Sequence, residues 1–170
     1  MALSMYTASV PVFQHMLRNL SHLLERGEQH AAARKFDPVA LTTYRLAPDM
    51  LPFTRQVLIA CDVVKNGVMR ISGVEAPKFE DQEATFGELR ERVQKTIDYL
   101  EKVPAGALDG TEDKEITFPV GPDTRTMKGQ AYLTTWMVPN FFFHITTAYA
   151  ILRHNGVEVG KRDYLVGGQK

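Results

Sequence analysis

The chain has one cysteine in 170 residues, Cys61. No internal disulfide can form, and chemistry that needs two nearby thiols is excluded. Excess charge is also lacking: twenty lysines and arginines balance twenty aspartates and glutamates. The broad positive field that binds a phosphate backbone is therefore missing, and no nucleic-acid partner is expected. No apolar run approaches the roughly 20 residues of a bilayer span. The longest, Val57 to Val64, is broken by Asp62, so no membrane partner is expected. Met1 to Val10 lacks a basic stretch followed by an apolar one, which predicts no secretory leader and a cytoplasmic location. Internal repeats, low-complexity tracts, a phosphate loop, a nucleotide fingerprint, a nucleophile elbow and a His-Glu-x-x-His helix are absent too.

Hydrophobic residues make up 44% of the chain and charged residues 24%, a globular balance with enough apolar material for a sizeable core. One domain over residues 1–170 is expected. Val12, Phe13, Met16, Leu17, Leu20, Leu23 and Leu24 recur at three- and four-residue steps. They predict a first helix from about Tyr6 to Ala33, with Pro11 in its first turn. Asp37-Pro38 reads as a cap and first position of a short helix through about Tyr44. Pro48 to Ser72 is the second long helix, stopped by Gly73, and Val74 to Ala84 is a loop. Thr85 and Glu88 form a capping box for the third. Leu89, Val93, Ile97 and Leu100 supply its buried stripe, and Glu88–Arg92, Glu91–Lys95 and Asp98–Lys102 are i,i+4 pairs. Glu115 to Pro119 and Thr124 to Lys128 flank a turn and predict a small β-hairpin. The last helix comes in two pieces, Gln130 to Met137 and Pro139 to Asn155, with Pro139 interrupting or restarting it. The tail from Val157 to Lys170 reads as irregular. The sum is an all-α chain, a four-helix up-and-down type bundle with a short helix after the first and a hairpin before the last.

Five histidines invite a search for metal. His15 and His22 share a helix face but stand roughly 10 Å apart, too far for one ion at about 2 Å from each. His144 and His154 point about 80° apart around the helix. His144 lies in Pro139-Asn140-Phe141-Phe142-Phe143-His144, the most apolar helix, at the edge of the core. It reads either as a structural histidine bonded to a neighbouring helix or as a ligand or acid–base group. Asp62 interrupts an apolar run and reads either as a solvated or ion-paired carboxylate, with Arg55 or Lys65, or as a group lining a bundle cavity. Cys61 reads as a small buried hydrophobe. Trp136 with Phe141 to Phe143 reads as core or a dimer face.

Phe53 to Gly73, centred on Cys61-Asp62, and Pro139-Asn140-Phe141-Phe142-Phe143-His144-Ile145-Thr146-Thr147-Ala148-Tyr149 through Asn155-Gly156 resemble a bacterial family of unknown function in the DinB-like superfamily. That resemblance implies a four-helix bundle, often a homodimer. Many members hold a divalent metal, zinc or nickel, on three histidines, one from the second helix and an i,i+4 pair from the last. Some are transferases or isomerases that use low-molecular-weight thiols. His144 matches the first histidine of the last-helix pair, and Ala148 stands where the second would be. The second helix has no histidine; Asp62 and Gln56 are its nearest polar substitutes.

Three readings follow. In the first, a degenerate pocket binds a small molecule, with or without metal. His144 and Asp62 are its catalytic or metal-ligating candidates, Asn140 and Tyr149 orient the ligand, and Gln56 lines the pocket. In the second, the bundle is a non-catalytic dimeric binding or stress-response module. In the third, it is a metal-dependent thiol transferase.

Overall fold

The computed structural model of the chain describes residues 3–168; Met1, Ala2, Gln169 and Lys170, the outer ends of the leader and tail readings, lie outside them. The elements run α1 (Val10–Arg34), α2 (Val39–Thr42), α3 (Phe53–Ser72), α4 (Phe86–Glu101), β1 (Glu115–Val120), β2 (Asp123–Lys128), α5 (Gly129–Ala131), a π-helical stretch (Tyr132–Met137), α6 (Val138–His154) and α7 (Lys161–Val166). The molecule is mainly helical with one two-stranded antiparallel hairpin before the last long helix.

Local chemistry sets most of these limits. Pro52 is itself extended, with ψ 165°, and stands as the cap before α3, which therefore begins only at Phe53 and ends where Gly73 takes a left-handed φ of 76°. Thr85 and Glu88 make the expected reciprocal cap on α4. In the hairpin, Val120 pairs with Asp123 and Gly121 adopts φ 60°, the value a primed two-residue turn needs at its first position. Pro139 does not break the last helix. It has no N–H for the carbonyl four residues back, and the π-helical stretch just before it is how a helix steps past such a gap. The tail is not irregular throughout: Val157 and Val159 are buried, and α7 forms because Asp163 accepts from the Gly160 amide at 2.8 Å and α1 offers it a docking face. His15 Nε2 donates to the Leu165 carbonyl at 2.7 Å, and His22 Nε2 lies 2.9 Å from Asp163 Oδ1.

Packing does not follow chain order. α1 lies chiefly on α4 and α7, and α3 lies on α6 and α4. Phe13, Leu17, Leu20 and Leu24 of α1 meet Val57, Val64 and Val68 of α3 and Phe141, Ile145 and Leu152 of α6 in one fully buried core. Each such side chain contributes about 1.5–3 kcal/mol. Phe13 and Phe141 touch edge-on with ring centroids 5.0 Å apart. Val12 leaves the expected stripe and is exposed. Ile116 and Phe118 face inward from β1.

The loop before β1 caps the long C-terminal helix. The amides of Gly129 and Gln130 donate to the carbonyls of Lys114 and Glu112 at 2.8 and 3.0 Å. A β-carbon at Gly129 would collide with the Thr111 carbonyl oxygen, a backbone atom with no freedom to move away. Gly129→Ala is expected to destabilise the fold by at least about 2 kcal/mol, read as a drop in the urea midpoint at unchanged slope.

Candidate functional site

His144 sits on the inner edge of α6, 8% exposed. Its Nδ1 lies 2.7 Å from Gln56 Oε1. Gln56, at the start of α3, donates its amide nitrogen to the Leu51 carbonyl at 2.9 Å. That second bond fixes which end of the amide faces the imidazole. The oxygen faces it, so Nδ1 must carry the hydrogen and Nε2 keeps its lone pair. Burial pushes the His144 pKa down to about 4, so the ring is neutral at pH 7. Such a nitrogen accepts a hydrogen bond or binds a Lewis acid well. It is a poor general base at neutral pH, because a proton taken there is held too weakly.

Asp62 belongs to a different network. Its Oδ1 receives Arg92 Nη2 at 2.8 Å and Lys65 Nζ at 3.3 Å. Lys65 was one of the two cations expected for it. The other, Arg55, turns instead to Asp81 at 3.4 Å. Arg92 does not form the surface pair with Glu88 that its spacing suggests, because Glu88 is engaged in the helix cap. With its side chain 1% exposed, Arg92 also donates to Asp81 at 2.8 Å and Glu83 at 3.0 Å. The ring of Phe79 lies under both cations, 4.4 Å from the Arg92 guanidinium carbon and 4.3 Å from Lys65 Nζ. These contacts stitch the segment after α3 onto α3 and α4. Burial is the largest single influence on Asp81 and pushes its pKa up, but the hydrogen bonds and charges of Arg92 and Arg55 together outweigh it and hold the carboxyl below the usual range. Asp98 accepts from Gln94 at 2.7 Å rather than pairing with Lys102, and Glu91–Lys95 pair as expected.

The structure thus brings His144 and Gln56 together and leaves Asp62 elsewhere. Gln56 and Asp62 are six residues apart on α3, about 120° around the helix. Asn140 lies one turn before His144, half-buried. Tyr149 points to the α7 side, where its ring meets Tyr164 edge-on at 5.8 Å. Cys61 is fully buried and its thiol is pushed up to about 12 by that burial, so it behaves as the expected small hydrophobe. Nothing in the sequence placed Arg92 in this cluster, and Pro139 signalled an irregularity in the last helix without marking it as a π-helical stretch. Among the described residues, no group of three or more His, Cys, Asp or Glu side chains is placed to hold a metal ion.

A mainly helical domain with a single neutral imidazole between its second and last long helices defines a DinB-like fold with an incomplete histidine set. The chain is similar to the crystal structure of a DinB family member protein from Shewanella denitrificans, with 41% identity and a TM-score of 0.88 over 94% of this chain and 90% of that one. Residues 5–165 match the family described as a domain of unknown function, DUF1993, and the chain belongs to it. No curated protein matches the chain. The three-histidine donor set of the superfamily does not fit here. Position 148 is a buried alanine and α3 offers only the Gln56 amide, already bonded to His144.

Two outcomes are expected. Arg92→Leu leaves three carboxylates without their shared cation and should cost about 3–5 kcal/mol of stability, measured by chemical denaturation. Cys61 should resist alkylation by iodoacetamide in buffer and react at once in denaturant.

Proposed function

We propose that this DinB-like four-helix bundle binds a small molecule at His144 and does so as a binding protein rather than as a base catalyst. The observation that carries this reading is the relay from Leu51 to Gln56 to His144. It orients the imidazole and leaves Nε2 as an acceptor with no partner among the described residues. A purely structural histidine would need only the bond to Gln56 in an otherwise sealed core. Phe143 and Thr147, neighbours of His144 along α6, line an open apolar hollow of about 390 Å³ with Leu46, Phe142, Thr146 and Ala150. The matching ligand is small and largely apolar, with one O–H or N–H to give to Nε2. Asn140, one turn before His144 on α6, would assist in this reading, and Tyr149, whose ring meets Tyr164 of α7, would contribute less. One imidazole gives little affinity for a divalent ion, so the ligand meets Nε2 directly in this reading.

A second reading, a homodimeric module, is supported by the same hollow. Phe143 and Leu46 are 55% and 40% exposed, large apolar side chains that a second copy would cover. The cytoplasmic location stays part of both readings; among the described residues no helix is long and apolar enough to cross a membrane.

Phenol, an apolar ring with one O–H, is the probe. With ¹⁵N-histidine-labelled protein, phenol should shift the His144 Nε2 resonance saturably and leave Nδ1–H in place. An unchanged Nε2 across phenol and a set of similar donor fragments would end the reading.

A pH effect also follows. Folded His144 stays neutral to about pH 4, against 6.5 for the free side chain. Between those values the unfolded chain binds the extra proton. The stability tied to the neutral ring is therefore full above pH 6.5 and is lost as pH falls toward 4. The difference in unfolding free energy between the native chain and His144→Phe should shift by roughly 2 kcal/mol across that window, after allowance for solvent at the exposed ring edge. Parallel pH curves for the two proteins would show that the ring is not held neutral.

A further inference from the structure

A second cleft lies away from His144, between α3, the hairpin and the π-helical stretch. Asp62, Asn66 and Arg70 line one wall, at successive turns of α3, and Phe118, Pro119, Tyr132 and Trp136 line the other. Its volume, about 140 Å³, is close to that of a cavity known to take benzene.

The walls carry three kinds of group. The first is an aromatic surface: the Phe118 ring lies 4.6 Å from Tyr132 and 5.1 Å from Trp136, centroid to centroid. The π-helical stretch presents both Tyr132 and Trp136. Such stretches are rare, cost stability and recur at functional sites. The second is a carboxylate oxygen. Arg92 and Lys65 both sit on Asp62 Oδ1, so Oδ2 has no hydrogen-bond partner among the described residues, and the side chain is 28% exposed. The third is a guanidinium. Arg70 Nη1 donates to the Tyr132 hydroxyl at 3.1 Å, which steers the group toward the cleft; its other N–H groups make no hydrogen bond among the described residues.

A purely cationic ligand would suit Asp62 and the rings but would meet Arg70. A purely anionic one would suit Arg70 but would meet Asp62. One molecule with both charges satisfies all three. Asp62 and Arg70 are two helical turns apart, roughly 12 Å along the axis. That separation exceeds what adjacent charges on an α-amino acid bridge. We propose that this cleft binds a short ω-amino-acid-like zwitterion. Its ammonium meets Asp62 Oδ2 and the Trp136 face, its methylenes lie on the aromatic wall, and its carboxylate meets Arg70.

Trp136 is the only tryptophan, so its fluorescence reports the cleft alone. Titration with 5-aminopentanoate should give a saturable change at millimolar concentration or below, with at least tenfold weaker binding of pentylamine and of pentanoate. Arg70→Gln and Asp62→Asn should each weaken 5-aminopentanoate at least tenfold. Arg70 takes no part in the Arg92 cluster, so Arg70→Gln keeps the test intact if Asp62→Asn fails to fold. His144→Phe should bind it as the native chain does, which separates this cleft from the His144 site. A flat titration across ω-amino acids of three to six carbons, equal binding of pentylamine or pentanoate, or full affinity in Arg70→Gln would overturn the proposal.

Discussion

Arg92 is the residue on which the arrangement of the molecule turns. A guanidinium this deeply buried is tolerable only because its lost hydration is replaced by charge-assisted bonds. The three carboxylates that supply them come from different places, Asp62 from α3 and Asp81 and Glu83 from the segment that follows it. One buried cation therefore ties α3, α4 and their connection together. It also fixes where Asp62 points. With Oδ1 taken by Arg92 and Lys65, Asp62 is engaged away from His144, and it lines the cleft beside Trp136 with no hydrogen bond to its other oxygen among the described residues.

The last helix carries the second constraint. It must pass Pro139 while keeping Met137 and Phe141 in the core. The π-helical stretch does this and in doing so widens the turn that presents Tyr132 and Trp136 to the hairpin. Beyond Pro139 the helix is regular and His144 falls at the core edge, facing α3. One helix thus borders both proposed sites, one from each half.

The chemistry is bounded by what the superfamily resemblance leads one to look for and what the residues provide. His144 holds the expected place on the last helix, and Gln56 meets it from the second long helix. The contact is an amide–imidazole hydrogen bond, not a shared ion. That changes the meaning of a low pKa. A neutral imidazole with one fixed hydrogen is an acceptor at its other nitrogen.

Much was legible from the sequence because it is local. The capping box at Thr85 and Glu88, the stop at Gly73, the hairpin turn at Gly121 and the apolar stripe of α4 all arise from neighbours within a few residues. So does the family, whose motif segments lie along single helices. What only the tertiary structure decided are partners distant in the chain. Arg92 looked like a surface residue paired with Glu88, and nothing nearby revealed Asp62, Asp81 or Phe79. The tail looked irregular because the partners that help to hold α7, His15 and His22, lie more than a hundred residues earlier. His144 and Gln56 are 88 residues apart. The sequence by itself determined the long helices and their kin, since propensity and capping act within a turn or two. Which polar groups meet was decided only when the helices packed, because a buried charge or imidazole takes its partner from whatever surface the fold brings within 3 Å.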